Sequence, residues 1–367
     1  MRYRTRTVAA IAFAFALLFC AGRMTAFGAD QGVSVSAGAG QEESVTVDSD
    51  VNAGKTDAVT VSAEGEGSDA SAVVNGDVSS DEGHGLVISA DEGSASAVIN
   101  GDVKADEDGV DAKADNGGTV TAEVNGDVGS NEDDGIDAAA DNGSKIDITV
   151  DGDIRAKEES GMDLKVSVGS SINVAVTGTV EGKEAGIVTN ACTPDCDGTV
   201  SVTAWKIVVR KDGNGKEFVA LDQNRNINRK FEKTIKYIIR IRDRDKGIIS
   251  LPGLTKGKHG YTALEGDKVR VRIEIPEGYE LEHVYCDEGK ELEAYRGDDG
   301  FWYVTVPKGG GVILSADLCR YAADSGEGYR ASSPNTGDKE ELAAWSAVML
   351  TALALLIAMM RNKALNR

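Results

Sequence analysis

From Gln31 to Thr203 the chain alternates apolar and polar residues with a period of two, interrupted at regular intervals by glycine-bearing turns. Stretches such as Lys145-Ile146-Asp147-Ile148-Thr149-Val150 place every second side chain on one face, which predicts strands rather than helices. The pattern repeats. Asn75-Gly76-Asp77-Val78, Asn100-Gly101-Asp102-Val103, Asn125-Gly126-Asp127-Val128, Asp151-Gly152-Asp153-Ile154 and Thr177-Gly178-Thr179-Val180 begin 25, 25, 26 and 26 residues apart, and Asp48-Ser49-Asp50-Val51 precedes them. Each unit carries a second stripe: Gly85-Leu86-Val87-Ile88, Gly109-Val110-Asp111-Ala112, Gly135-Ile136-Asp137-Ala138, Gly161-Met162-Asp163-Leu164 and Gly186-Ile187. Asp91-Glu92-Gly93, Asp115-Asn116-Gly117 and Asp141-Asn142-Gly143 supply turn residues that tolerate positive φ. A unit of about 25 residues without helical periodicity is too short for a sandwich and wrong for helical repeats. It fits one coil of a β-solenoid, with strands bonded to coils above and below at about 4.8 Å and small apolar side chains inside.

Composition sharpens that reading. No Phe, Tyr or Trp lies between Phe27 and Trp205, so an ordinary aromatic-rich globular core is excluded over this stretch. From Asp30 to Ala204 there are 37 acidic against 8 basic residues, within a chain of net charge −22. Such a surface repels nucleic acid and anionic lipid, and divalent cations or basic surfaces are better partners. A disordered acidic stalk is the alternative, but disorder does not require the in/out alternation. The units resemble the right-handed parallel β-helix of pectin-lyase-like and bacterial surface proteins. That resemblance implies a mainly β fold with a β-helix of about six coils of 25–27 residues over residues 30–204.

The solenoid's chemistry is sparse at this level. Sugar-cleaving β-helices need an irregular patch of carboxylates with aromatics or Arg beside the sugar. Here the acids recur in register, which reads as architecture, and no catalytic residue or cofactor is expected. His84, beside Glu82 in a glycine-flanked turn, reads as a solvated loop residue. Asp77, Asp102, Asp127 and Asp153 occupy equivalent positions and should form a column. Adjacent carboxylates about 5 Å apart repel by roughly 1 kcal/mol in water, a load that Ca2+ would relieve and a hydrated acidic face would tolerate.

At Trp205 the character changes: aromatics, prolines and basic residues return. Val208 to Val219, centred on Asp212-Gly213-Asn214-Gly215, reads as a hairpin within a cap or linker over residues 205–235, covering the last coil. Residues 236–320 then alternate over Tyr237–Ile241, Lys268–Ile275, Tyr279–Cys286, Phe301–Val306 and Val312–Leu318. The order Gly266-Asp267-Lys268-Val269, Pro276-Glu277-Gly278-Tyr279, Gly300-Phe301-Trp302-Tyr303 and Pro307 resembles the bacterial repeat domain of Gram-positive surface proteins, related to internalin-type B repeats. The resemblance implies a small mostly-β spacer or adhesive module with no active site to carry over. Cys286 and Cys319, at the ends of strands that would be neighbours, are candidate disulfide partners, and so are Cys192 and Cys196 across a tight loop; free thiols are the alternative.

The termini supply an address. Residues 1–29 carry Arg2, Arg4 and Arg6, an apolar stretch and small residues at Ala26, Gly28 and Ala29, as a secretory signal peptide does. Residues 321–341 form a linker holding Ser333-Pro334-Asn335-Thr336-Gly337. Residues 342–360 are apolar for about 28 Å of helix, enough for a transmembrane helix, and residues 361–367 are a basic tail expected on the cytoplasmic side. This tripartite end resembles the sorting signal of Gram-positive surface proteins, in which a sortase cuts between Thr and Gly and joins the Thr to the cell wall. Ser333 departs from the usual Leu, and a plain single-pass membrane anchor is the alternative. The expectation is a non-enzymatic surface protein on the extracellular face, with sortase, cell wall and membrane as partners. An extracellular glycan or protein is the expected ligand, and nucleic acid is not. A polysaccharide-acting enzyme and a purely structural stalk remain alternatives.

Overall fold

The computed structural model describes residues 23–24, 32–191, 196–209, 220–222, 232–286 and 294–320. The expected sorting motif, the apolar span 342–360 and the basic tail lie outside the described residues, as does the expected signal peptide apart from residues 23–24. Among the described residues no helix is long and apolar enough to cross a membrane.

The alternating units wind into a parallel β-solenoid of about 7 turns, one more than the motifs alone count. Each coil contributes three strands to three faces. The first face stacks Val33–Ala37, Val59–Glu64, Leu86–Asp91, Val110–Asp115, Ile136–Ala140, Met162–Val166, Ile187–Ala191 and Ala220–Asp222, all parallel. The second runs from Glu42–Val47 through Asp69–Val74, Ser94–Ile99, Thr119–Val124 and Lys145–Val150. The third consists of three-residue strands such as Val78–Ser80, Val103–Ala105, Val128–Ser130 and Ile154–Ala156. In the last coils the second and third faces merge into the long strands Ser171–Gly182 and Thr199–Val209.

Inward positions form columns. Val59, Leu86, Val110, Ile136, Met162 and Ile187 lie in register and are fully buried. On the second face Ala70 and Ala95 give way to Val120, Ile146, Ile172 and Val200. Three short faces leave a narrow interior that β-branched and alanine side chains fill, so the missing aromatics follow from the cross-section.

Two columns of glycine set how closely the coils approach. A Cβ on Gly126 would lie 2.5 Å from the Gly101 carbonyl oxygen and 2.6 Å from Asp102 Oδ1, and Gly101 stands in the same relation to Gly76 and Asp77. Gly85, Gly109, Gly135 and Gly161 form the second column, each against the carbonyl of the next coil's glycine. At the turn between the first and second faces Asn116, Gly117, Asn142 and Gly143 have positive φ, as the turn chemistry predicts, and Glu92 joins them.

Past Ala204 the coil continues where a hairpin is predicted. Val208 and Val209 pair in parallel with Glu181 and Gly182, and Ala220–Asp222 pair in parallel with Ile187–Thr189 on a different face; the turn and second arm of the expected hairpin, residues 210–219, lie outside the described residues. Inward Ala204, Trp205 and Ile207 keep the burial going, and that is what extends the solenoid. Glu232–Ile241 then does two jobs. It pairs in parallel with Thr199–Ala204, and its second half pairs antiparallel with Gly260–Leu264 and in parallel with Ile313–Leu314. The remaining strands make a hairpin of Tyr279–Cys286 with Ile313–Arg320 and a four-stranded sheet around Lys268–Ile273 and Trp302–Thr305.

That hairpin's register overturns one expected disulfide. Cys286 pairs with Leu314 and Cys319 with Glu280, so the two cysteines sit five positions apart along the ladder, about 17 Å, far beyond disulfide reach. Cys319 is a free thiol, and so is Cys196, which is buried and donates to the Val166 carbonyl; Cys192 lies outside the described residues.

The glycine column gives a sharp stability test. Gly126→Ala should destabilise the chain by about 1–3 kcal/mol, because backbone rather than a movable side chain meets the new methyl. Gly129→Ala, three residues on, meets nothing closer than 3.9 Å and should be neutral or mildly stabilising. Equal thermal unfolding midpoints for the two variants would contradict the stacking argument.

Candidate carboxylate site on the middle coils

Polar residues at the coil corners form hydrogen-bonded ladders. Asp50, Asp77, Asp102 and Asp127 each use Oδ1 to accept the backbone N–H of the aspartate one coil later, at 2.8–3.0 Å, and Asp153 accepts from Thr179 N at 2.8 Å. Beside them Asn75, Asn100 and Asn125 pass amide hydrogens down a second ladder that ends on Asp48. The column of Asp77, Asp102, Asp127 and Asp153 therefore exists, and each Oδ1 in it is engaged by a backbone amide. Lys104 pairs with Asp102 at 3.2 Å, and Arg155 bridges Asp127 and Asp153. The Asp127 amide leads the influences that hold Asp102 below the usual carboxylate range.

The corner entering the first face carries a third ladder, which the repeat motifs do not announce. His84 N donates to Asp57 Oδ1 and Asp108 N to His84 Nδ1, each at 3.1 Å; Asp134 N donates to Asp108 Oδ1 at 3.1 Å and Ser160 N to Asp134 Oδ1 at 2.8 Å. His84 is thus a rung rather than a solvated loop residue: its side chain is 22% exposed and its Nε2 lies 3.0 Å from Glu107. Accepting at Nδ1 fixes the proton of the neutral ring on Nε2.

Around Asp108 and Asp134 the acids become dense. Glu107, Asp133 and Glu159 precede the rungs Asp108, Asp134 and Ser160, and three residues beyond the rungs Asp111, Asp137 and Asp163 line up on the outer side of the first face. Eight carboxylates here face Lys113 and Lys165. Lys113 pairs with Asp111 Oδ2 at 2.7 Å, and Lys165 holds Asp137 at 3.2 Å and Asp163 at 3.1 Å. Asp111 Oδ1 and Asp163 Oδ1 are buried without a hydrogen-bond partner. Burial, followed by Asp133, Asp137, Asp134 and Asp111, pushes Asp108 up to about 8. Burial also raises Asp134 to about 7, against the Ser160 amide, with Asp163, Asp137 and Asp133 adding to the rise. Asp137 is raised as well, by burial that outweighs Lys165.

The cluster belongs to the middle of the rod alone. The position held by Asp111, Asp137 and Asp163 is Val87 one coil below and Val188 one coil above. The sequence signal was present in the Gly-x-Asp stripes at 109–111, 135–137 and 161–163, each preceded by an acidic pair or triplet, and absent from 85–87 and 186–188. Chemically, the arrangement offers two carboxyls that burial biases toward the protonated form, and several oxygen ligands within reach of a hard cation. The chain matches no family model, no curated protein and no solved structure, so the site is read from its own geometry.

Two carboxyls raised in the folded state bind protons that the unfolded chain releases near pH 4. Their contribution is full below that range and is lost as pH rises through about 7 and 8. In chelator-containing buffer the melting temperature should therefore fall between pH 5 and pH 8, and the double variant Asp108→Asn, Asp134→Asn should flatten that fall. A profile equally steep in the variant would contradict the assignment. The amide-bonded Asp102, depressed rather than raised, acts in the opposite sense and only in acid, where its stabilisation is lost as pH drops.

Proposed function

We propose that this chain is a surface-displayed, non-catalytic rod: a solenoid that spaces or presents a binding face, carried on a smaller β module above an anchor. The observation that carries this reading is the continuous parallel register, interrupted among the described coils only by a bulge between Val176 and Thr179. Every described coil pairs with its neighbours at equivalent positions, and the same sheet runs on through Glu232–Ile241 into the module that follows. A rod built this way transmits position along its axis and needs no pocket. Right-handed winding is the expected hand for parallel strands joined by crossovers. The likeness of residues 236–320 to the bacterial repeat domain, the leader and the sorting-type terminus support an extracellular setting. Sortase and the cell wall are the partners at the base, the membrane-spanning helix is a transient or alternative anchor, and an extracellular glycan or protein is the ligand. The acidic face argues against nucleic acid.

One observation favours a second reading, a polysaccharide-acting enzyme: Asp108, which burial pushes up to about 8, stands among further carboxylates, and glycoside cleavage uses a pair of carboxyl groups. Against it, residues 28–204 contain no Phe, Tyr or Trp to hold a sugar ring.

Anchoring is tested in the source cell. Native protein should resist boiling detergent and be released by wall hydrolases, and Thr336→Ala should move it to the membrane fraction. Complete detergent extraction of the native chain would refute wall attachment. The two functional readings separate on purified protein offered to glycan and protein arrays alongside a polysaccharide-degradation assay. The rod reading expects saturable binding without new chain ends; degradation lost on Asp108→Asn would replace it with the enzyme.

A further inference from the structure

We propose that Asp108, Asp133 and Asp134 hold a divalent cation of the calcium class, with Asp111 beside it, clamping two successive coils at the middle of the solenoid. One carboxylate oxygen from each of Asp108, Asp133 and Asp134 lies within 4.8 Å of the others. Oxygen ligands at 2.3–2.6 Å from one calcium ion are separated by at most about 5 Å, so the three fit a single coordination sphere. Asp108 and Asp134 are buried while Asp133 is the more accessible of the three, which gives two fixed ligands and one opening for water and ion entry. The two buried residues spend Oδ1 on the amides of Asp134 and Ser160, and the ladder thereby fixes their side chains in place.

A second observation points to a ligand independently of the cluster. Asp111 is 6% exposed, and its Oδ1 is buried without a partner although its Oδ2 is held by Lys113. A buried carboxylate oxygen without a donor is destabilising, and the position does not need it, since valine occupies it one coil below. Asp111 follows Asp108 by three residues, on the face that the corner bearing Asp108 enters, and it stacks on Asp137 of the coil that supplies Asp133 and Asp134.

Geometry also selects among the possible groupings. Asp57, His84 and Glu107 gather within the same distance of one another, but His84 spends Nδ1 on the Asp108 amide and pairs Nε2 with Glu107. That leaves no ring nitrogen for a metal. The aspartate group offers oxygen donors alone, the set that suits calcium rather than zinc or copper.

The test titrates CaCl2 into the purified full-length chain, previously treated with chelator, by calorimetry and by thermal unfolding, with NaCl at matched ionic strength as the reference. The expected result is one saturable site and a rise in melting temperature beyond the sodium control. Asp133→Asn should weaken calcium affinity at least tenfold; Asp133 is not buried and no ladder bond uses its side chain, so the fold is left intact. Asp134→Asn keeps an acceptor for the Ser160 amide and should weaken binding similarly, while Asp102→Asn in the neighbouring ladder should leave affinity unchanged. A melting shift that sodium reproduces, or calcium affinity unaltered in Asp133→Asn, overturns the site. Calcium binding lost equally in Asp102→Asn would overturn it too, by assigning the effect to diffuse surface charge.

Discussion

Coils stacked in register about 4.8 Å apart impose one rule on every position: a residue must be compatible with the same position above and below it. Glycine is required wherever backbone faces backbone at a corner, since a Cβ on Gly126 would meet the Gly101 carbonyl. Inward columns accept only side chains that fill a narrow triangle. Polar columns must either bond along the stack or repel along it. Aspartate solves this in an unexpected way. Stacked carboxylates repel by roughly 1 kcal/mol per neighbour in water, but each Oδ1 accepts an N–H from the next coil, and a charge-assisted bond of that kind outweighs the repulsion. Lys104 and Arg155 remove much of the remainder. Asparagine in the adjacent column, both donor and acceptor, carries no charge to offset.

The same rule creates a difficulty at the end of the rod, where the last coil has no neighbour. Here the chain answers with sheet continuity. Glu232–Ile241 leaves the parallel stack partway along its length and finds antiparallel and parallel partners of a different kind. The Arg240 guanidinium stacks 4.1 Å from the centre of the Trp205 ring, and Gly309 and Gly311 bond to Ile207 and Trp205 across the junction. Tyr237 is buried beneath Gly310, where a Cβ would lie 2.6 Å from the Trp205 carbonyl. The first aromatic after the solenoid's apolar-aliphatic stretch therefore marks the place where its core is closed.

Much of this is legible before any coordinates. Period-two alternation gives the strands, the recurrence of Asn-Gly-Asp gives the coil length, and Asn116 and Asn142 signal turns that do adopt positive φ. What is not legible is which columns touch. Nothing local in Thr199–Val209 announces that it runs as one long strand paired in parallel with the coil below. The pairing of Cys286 with Cys319 fails for a similar reason, because strand adjacency does not fix register and a slip of five residues separates them. His84 reads as a loop residue because nothing local shows that its Nδ1 lies under the Asp108 amide.

The acid cluster is the instructive omission. Repetition in sequence invites an architectural reading, and for Asp102 and its column that reading holds, because each carboxylate has an amide to accept. For Asp111, Asp137 and Asp163 it does not. These side chains point outward, accept no neighbouring backbone amide, and replace the valines at 87 and 188 that fit the same place without charge. Two of the three keep an oxygen buried and unpaired. Packing does not call for aspartate where valine fits, and burying it costs desolvation and repulsion with Asp108 and Asp134, set against the ion pairs with Lys113 and Lys165. Departures from local consistency that cost stability and serve no packing end are where function concentrates. By that criterion the regular Asn-Gly-Asp corners belong to the architecture, and the outward aspartates of the three middle coils mark the site.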